Sequence, residues 1–297
     1  MNRRYLIWAP PFCGSAGVRA LYKLATELRE HGQSVSLWSW GDTRQPGFDY
    51  AESITPQMRE EDIVVYPEVV AGNPLQMRNV VRWVLFFPGR NGGESNYHPS
   101  EKIFTWSDDY YPGAPKLTVD IIDRELFFDA GLPRTRDCTF IHKGNKWKNV
   151  PELDGLTEIT MEWPKTRTEL AQLLQTTGTL YTWDDHSALC TEAYCCGAKV
   201  KIITEKGYCD FFPDIKVASD IFEQEMAVFI SDTQSMNYTG KIQPVPPNYQ
   251  TRLCSLNRKR LVFSSLAALL PLSGFRRKER HYHDKLRRLG WPSQRQE

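Results

Sequence analysis

The apolar positions of the chain fall into short runs separated by helix-spaced segments. Residues 4–11, RYLIWAPP, read as a buried first strand, apolar after Arg4. In residues 17–32, Val18, Leu21, Leu24, Ala25 and Leu28 recur at helical spacing, and Gly32 supplies a C-terminal stop. Further strands are predicted at 33–40, 61–69, 80–89, 102–107 and 116–122, with a short helix at 72–79 opening near Pro74. A second cycle starts near Asp137. Strands are predicted at 138–144, 156–163, 179–183 and 198–203, and helices at 166–178 and 187–197. Near-continuous apolar strands alternating with helices predict mostly parallel sheets covered on both faces. The class is therefore α/β with two Rossmann-like halves, whose boundary falls between Ile122 and Asp137.

We divide the chain into an N-terminal Rossmann-like domain at 1–130, a second at 131–250 and basic C-terminal helices at 251–297. The last part of the second division holds a predicted helix at 218–234 and a proline-rich connector at 241–250.

Charge changes this picture at one end. The net charge is +1, but from Thr251 onward 12 Lys and Arg stand against three Asp and Glu, a balance of +9. The preceding 250 residues carry −8, so an acidic body precedes a basic tail that suits an anionic partner. Arg258, Lys259 and Arg260 precede the apolar run LVFSSLAALLPL, and Arg276, Arg277, Lys278 and Arg280 follow it. That run is too short to span a bilayer and fits the interface of an anionic membrane or a packed helix equally. The seven cysteines contain no C-x-x-C pair, which predicts reduced thiols, mostly core filler, in a cytoplasmic protein without zinc.

Two stretches carry candidate chemistry. The first strand–helix turn, APPFCGSAGVR, holds Gly14 and Gly17, where backbone amides approach a ligand at a helix start. It is not G-x-G-x-x-G, which argues against a dinucleotide cofactor. The second is LYTWDDHSALCTEAYCCGAKVKIIT, residues 180–204. Ser187 is the expected N-cap of its helix and Gly197 the stop. Glu192 then lies roughly 7 Å up the helix at about 1.5 Å per residue. Asp184, Asp185 and His186 occupy the strand-to-helix loop. Two carboxylate positions around a helix start suit a nucleotide sugar, with the diphosphate held by the helix amides.

The same segment resembles the donor-site stretch of retaining glycosyltransferases of the GT-B fold, which carry E-x7-E, a small-residue helix, a glycine and an apolar strand. The pattern here is Asp184-x7-Glu192 followed by EAYCCGAKV. The resemblance implies that Glu192 binds the ribose diol and that Asp184, or its competitor Asp185, contacts the donor sugar. It also implies a diphosphate grip by Lys143 and Lys148, five residues apart in IHKGNKWKN with Lys146 between; lysine replaces the usual arginine there and keeps charge without a bidentate fork. Residues 64–89 resemble the N-terminal domain of bacterial surface-polysaccharide enzymes. That resemblance puts acceptor-side contacts near Glu68, Asn73 and Arg90.

The implied activity is sugar transfer from a nucleotide diphosphate to a glycan or lipid-linked acceptor. It is retaining, needs no metal or bound cofactor, and runs in the cytoplasm or at the inner membrane face. Three alternatives stay open: a nucleotide-sugar epimerase of the same shape, a non-catalytic nucleotide-sugar or glycan binder, and a DNA-modifying glycosyltransferase using the basic tail. Nucleic acid ranks behind the glycan as a partner.

Overall fold

The computed structural model describes residues 2–39, 44–141, 150–213, 219–243, 259, 277–282 and 285. The chain divides into two compact units, Met1–Asp120 with Val217–Glu297, and Ile121–Lys216. It is an α/β protein with two mostly parallel five-stranded sheets.

In the first unit the elements are β1 (Tyr5–Trp8), α1 (Ala16–Glu30), β2 (Val35–Trp38), α2 (Pro56–Glu61), β3 (Ile63–Pro67), β4 (Asn79–Val84) and β5 (Lys102–Thr105). The order β2-β1-β3-β4-β5 is parallel throughout. Every residue of β1, β3 and β4 is buried, as strands covered on both faces require. Helix α1 buries Val18, Leu21, Leu24, Ala25 and Leu28, the positions its periodicity singles out. Gly32 follows at φ 72°, a left-handed stop.

Three expected elements differ. Residues 72–79 form a turn instead of a helix. Gly72 and Gln76 sit at φ 58° and 55°, and the Asn73 side chain ties the turn by accepting from Met77 N at 3.0 Å and donating to Met77 O at 2.7 Å. Residues 116–122 form only a single bridge to Thr105, because the Leu117 carbonyl accepts from Trp83 Nε1 at 3.0 Å instead of joining a ladder. Of 156–163, only Thr157–Glu158 pairs as β7; the Thr160 hydroxyl then accepts from Glu162 N and Trp163 N and turns the chain. Helix α2 was not anticipated. Its start is a Thr55 cap, accepting from Met58 N at 3.1 Å, with Pro56 next.

Helix α5 (Ser219–Gln234) joins the first unit, so the second ends near Lys216 and not at residue 250. Phe229 is fully buried against Tyr5 and Phe104, with ring centroids 5.9 and 4.7 Å away. Thr233 meets the Tyr5 hydroxyl at 2.6 Å, and Glu225 accepts from Thr118 N at 2.8 Å. These are core aromatics, and a helix that supplies one of them belongs to that core. The tail beyond residue 243 lies outside the described residues except for 259, 277–282 and 285, all helical. Among the described residues no helix is long and apolar enough to cross a membrane.

The second unit contains β6 (Arg136–Phe140), β7 (Thr157–Glu158), α3 (Arg167–Gln175), β8 (Thr177–Thr182), α4 (Ala188–Cys195), β9 (Lys199–Thr204) and β10 (Gly207–Asp210). The sheet order is β10-β9-β8-β6-β7, with β10 antiparallel and exposed along its length. Phe127, Leu174, Leu180, Leu189, Cys190, Ala193 and Val200 belong to one core. Helices α3 and α4 both begin at the carboxyl edge of this parallel sheet, since each leads back to the amino end of the next strand. That edge is where α/β sheets hold ligands.

Candidate functional site

The loop between β8 and α4 is a closed turn. Asp184 N donates to Thr182 Oγ1 at 3.2 Å, and Asp184 Oδ1 accepts from His186 N at 3.2 Å. Its carbonyl accepts from Ser187 N at 3.3 Å and from Cys190 Sγ at 3.2 Å. Asp184 is half-buried and shapes the loop; Asp185 is exposed, with its Oδ1 3.5 Å from His186 Nε2. Ser187 is the N-cap as expected, its hydroxyl accepting from Leu189 N at 3.3 Å.

Helix α4 is lined by Leu189, Cys190, Ala193 and Cys196 of the core, and Glu192 sits among them at 2 % exposure. A carboxylate there needs a partner, because burying an isolated charge is costly. The partner is Arg167. Its Nη1 and Nη2 donate to Glu192 Oε2 and Oε1 at 3.0 and 2.8 Å, a bidentate fork. Its Cζ lies 4.4 Å from the Phe127 ring centroid. Arg167 is the first residue of α3, fixed by a capping box in which Thr166 and Glu169 bond each other's backbones. Sequence reasoning missed it. The signal was present, since T-x-x-E at 166–169 puts residue 167 at a helix start on the edge where α4 also begins.

The far end of α4 closes in a Schellman motif. Gly197 N donates to Tyr194 O at 2.9 Å and Ala198 N to Ala193 O at 3.0 Å, with Gly197 at φ 80°. A Cβ at Gly197 would strike Arg134 and Asp129. Arg134 Nη1 donates to Gln175 O at 2.6 Å and Cys196 O at 2.9 Å, capping α3 and α4 together. Burial pushes the Cys196 thiol up to about 12 and raises the Cys190 thiol too, with neighbouring carboxylates adding to both, so these cysteines stay protonated core residues as expected. Cys13 and Cys209 are exposed. A hollow of about 390 Å³ lies beside Tyr194, Gly197, Lys199, Asp210 and Phe212. It sits at the C-terminal end of α4 and contains none of the predicted site residues.

Lys143, Lys146 and Lys148 lie outside the described residues. In the first unit, the turn with Gly14 and Gly17 is exposed or half-buried. A Cβ at Gly14 would meet nothing, and at Gly17 only Leu85 Cδ1 at 3.8 Å, so no neighbouring atom in the fold demands glycine at either place. Ser15 precedes α1 without a side-chain cap bond.

Of the acceptor-side trio, Arg90 is exposed, with its Cζ 5.7 and 5.8 Å from the Phe86 and Phe87 rings. Asn73 is 1 % exposed and spends its amide on Met77 and on the Tyr66 hydroxyl. Glu68 is buried, and Leu85 N donates to its Oε2 at 3.0 Å; burial raises its pKa against backbone bonds and Arg82 that lower it. Beside it is an unanticipated centre. Arg82, wholly buried, bonds Glu101 Oε2 at 2.8 Å and the carbonyls of Val70 and Gly72 at 2.6 and 2.9 Å. Tyr66 and Tyr97 cover its guanidinium at 5.2 and 4.9 Å.

Among the described residues no group of three or more His, Cys, Asp or Glu is placed to hold a metal ion. Comparison of the chain with models of known protein families and with curated proteins finds no match.

Proposed function

We propose that the chain is a glycosyltransferase that takes a sugar from a nucleotide diphosphate donor and passes it to a glycan or lipid-linked acceptor. The observation that supports it is the position of Glu192: a buried carboxylate on a helix that starts at the carboxyl edge of a parallel sheet, next to a turn carrying Asp184 and Asp185. On this reading Glu192 takes the ribose diol, and Asp185 is the better donor-sugar carboxylate because Asp184 is engaged in its own loop. The leaving diphosphate gains charge as the glycosidic bond breaks. The amino end of α4, with Lys143 and Lys148, stabilises that charge electrostatically. Glu68, Asn73 and the exposed Arg90 form the acceptor side, Glu68 and Asn73 by shaping the turn and loop around them.

The test is a thermal-shift panel of nucleotides and nucleotide sugars. A ligand at 100 times its dissociation constant adds about 2.7 kcal/mol and gives a clear shift. A flat response to every nucleoside diphosphate would end the reading. A second reading, a nucleotide-sugar binder without turnover, draws support from Asp184 being engaged within its turn. Binding of a nucleotide sugar with neither transfer nor hydrolysis would favour it.

A further inference from the structure

Glu192 is only 2 % exposed, while its partner Arg167 is 34 % exposed. Both carboxylate oxygens are engaged by the guanidinium. No ligand hydroxyl reaches this carboxylate unless something moves, and Arg167 is the exposed half of the pair. Its backbone is pinned by the capping box, so the mobile part is the side chain alone. The guanidinium uses one N–H on each Nη for Glu192 and leaves three of its five donors for other acceptors.

We infer that Arg167 is an exchangeable cover on Glu192, displaced by a ligand that carries a vicinal diol and a diphosphate together. This rests on the donor-site role of Glu192. The diol replaces the guanidinium on the carboxylate, and the diphosphate replaces the carboxylate on the guanidinium. Each half of the ion pair is then handed to the matching half of the ligand, so no charge is left buried without a partner. A nucleoside alone displaces the guanidinium without offering it a new anion, and pyrophosphate alone takes the guanidinium without offering the buried carboxylate a new donor, so each forgoes the bidentate contact on one side. The exchange makes the site selective for nucleoside diphosphates over nucleosides and over free pyrophosphate. It also gives Arg167 the bidentate phosphate geometry that lysines at 143 and 148 lack.

The experiment is titration calorimetry of the full chain with the common nucleosides, their 5′-diphosphates and inorganic pyrophosphate. Wild type, Arg167→Ala, Arg167→Lys and Glu192→Gln are compared, with far-ultraviolet circular dichroism confirming each fold. Wild type binds a diphosphate, and the nucleoside or pyrophosphate alone binds more weakly than simple division of the ligand predicts. Arg167→Ala gains about tenfold for the nucleoside and loses about tenfold for the diphosphate, shifts of about 1.4 kcal/mol each. Glu192→Gln gains about tenfold for pyrophosphate because its guanidinium is released. If the alanine variant does not fold, Arg167→Lys carries the test with the same signs and smaller steps. A wild type that binds diphosphates, with variants that change all ligands by one common factor, overturns the exchange and leaves the donor site standing. A wild type that binds no nucleoside diphosphate removes the donor site and the exchange together.

Discussion

Arg82→Ala is expected to remove most of the stability of the first unit. The guanidinium and the Glu101 carboxylate are both 0 % exposed and 2.8 Å apart. Removing one partner of such a pair costs about 3–5 kcal/mol, because the remaining charge is left buried. The Val70 and Gly72 carbonyls also lose a charged donor, and a cavity opens between Tyr66 and Tyr97. Either effect adds about 1–3 kcal/mol. A domain has about 5–15 kcal/mol in total, so the variant sits near the edge of folding.

Urea unfolding, read by tryptophan fluorescence with Trp83 on the same strand, gives the midpoint and slope. Three variants separate charge from packing. Arg82→Lys keeps a cation without the fork and loses less than alanine does. Glu101→Gln leaves the arginine without its carboxylate and loses about as much as the arginine variant. The double variant Arg82→Met, Glu101→Leu removes both charges and recovers part of the loss, since apolar replacements of a buried pair are often neutral. A loss below about 1 kcal/mol for Arg82→Ala at unchanged slope, or a double variant no more stable than either single, would refute this account of the pair.

Glu68→Gln is expected to stabilise the protein relative to wild type at neutral pH. Its folded pKa is raised above the ordinary 4.5 by burial, so the stability associated with the protonated carboxyl is fully present below that pH and is lost as pH rises through the folded value and the buried carboxylate forms. Unfolding midpoints at several pH values from about 4 to 8 check the sign, and a constant difference between the two proteins sinks it. Arg134→Ala uncaps α3 and α4 at once and costs about 1–2 kcal/mol after allowance for its partial exposure; a Tm equal to wild type would mean the two carbonyls are satisfied by water. Gly93→Ala puts a side chain at φ 77° and drives its Cβ into the Glu68 carbonyl, so it costs more than the about 1–2 kcal/mol of the backbone strain alone. Soluble expression and a normal melting temperature for that variant would contradict it.

What was legible in the sequence were the elements whose pattern is local. The buried face of α1 is a spacing, and the caps at Ser187 and Gly197 are residue types at helix ends. Strands β1 and β3 are apolar throughout, and β4 is apolar except for Asn79 and Arg82, the composition of strands in a parallel sheet covered on both faces. The failures share a cause. Residues 72–79 have the composition of a short helix, but the Asn73 side chain competes for the backbone and bends it into a turn. Residues 116–122 read as a strand because Leu117 and Val119 are core residues, yet core membership does not require a ladder.

The long-range pairs were illegible for a stronger reason. Glu192 was visible because its helix is made of small apolar residues, where a carboxylate stands out. Arg167 was not, since an arginine opening a helix with a capping box is what a solvated helix start looks like. Its partner lies 25 residues away in sequence, on a different helix. The same holds for Arg82, which stands in an apolar strand and meets Glu101 19 residues later. In both cases the informative feature is a charge inside an apolar pattern, and such a charge predicts a counter-charge without saying where it is. For Glu192 this matters to chemistry. A carboxylate that already has a partner is a ligand site only if the partner leaves, so the donor-site assignment depends on where the Arg167 guanidinium goes as much as on Glu192 itself.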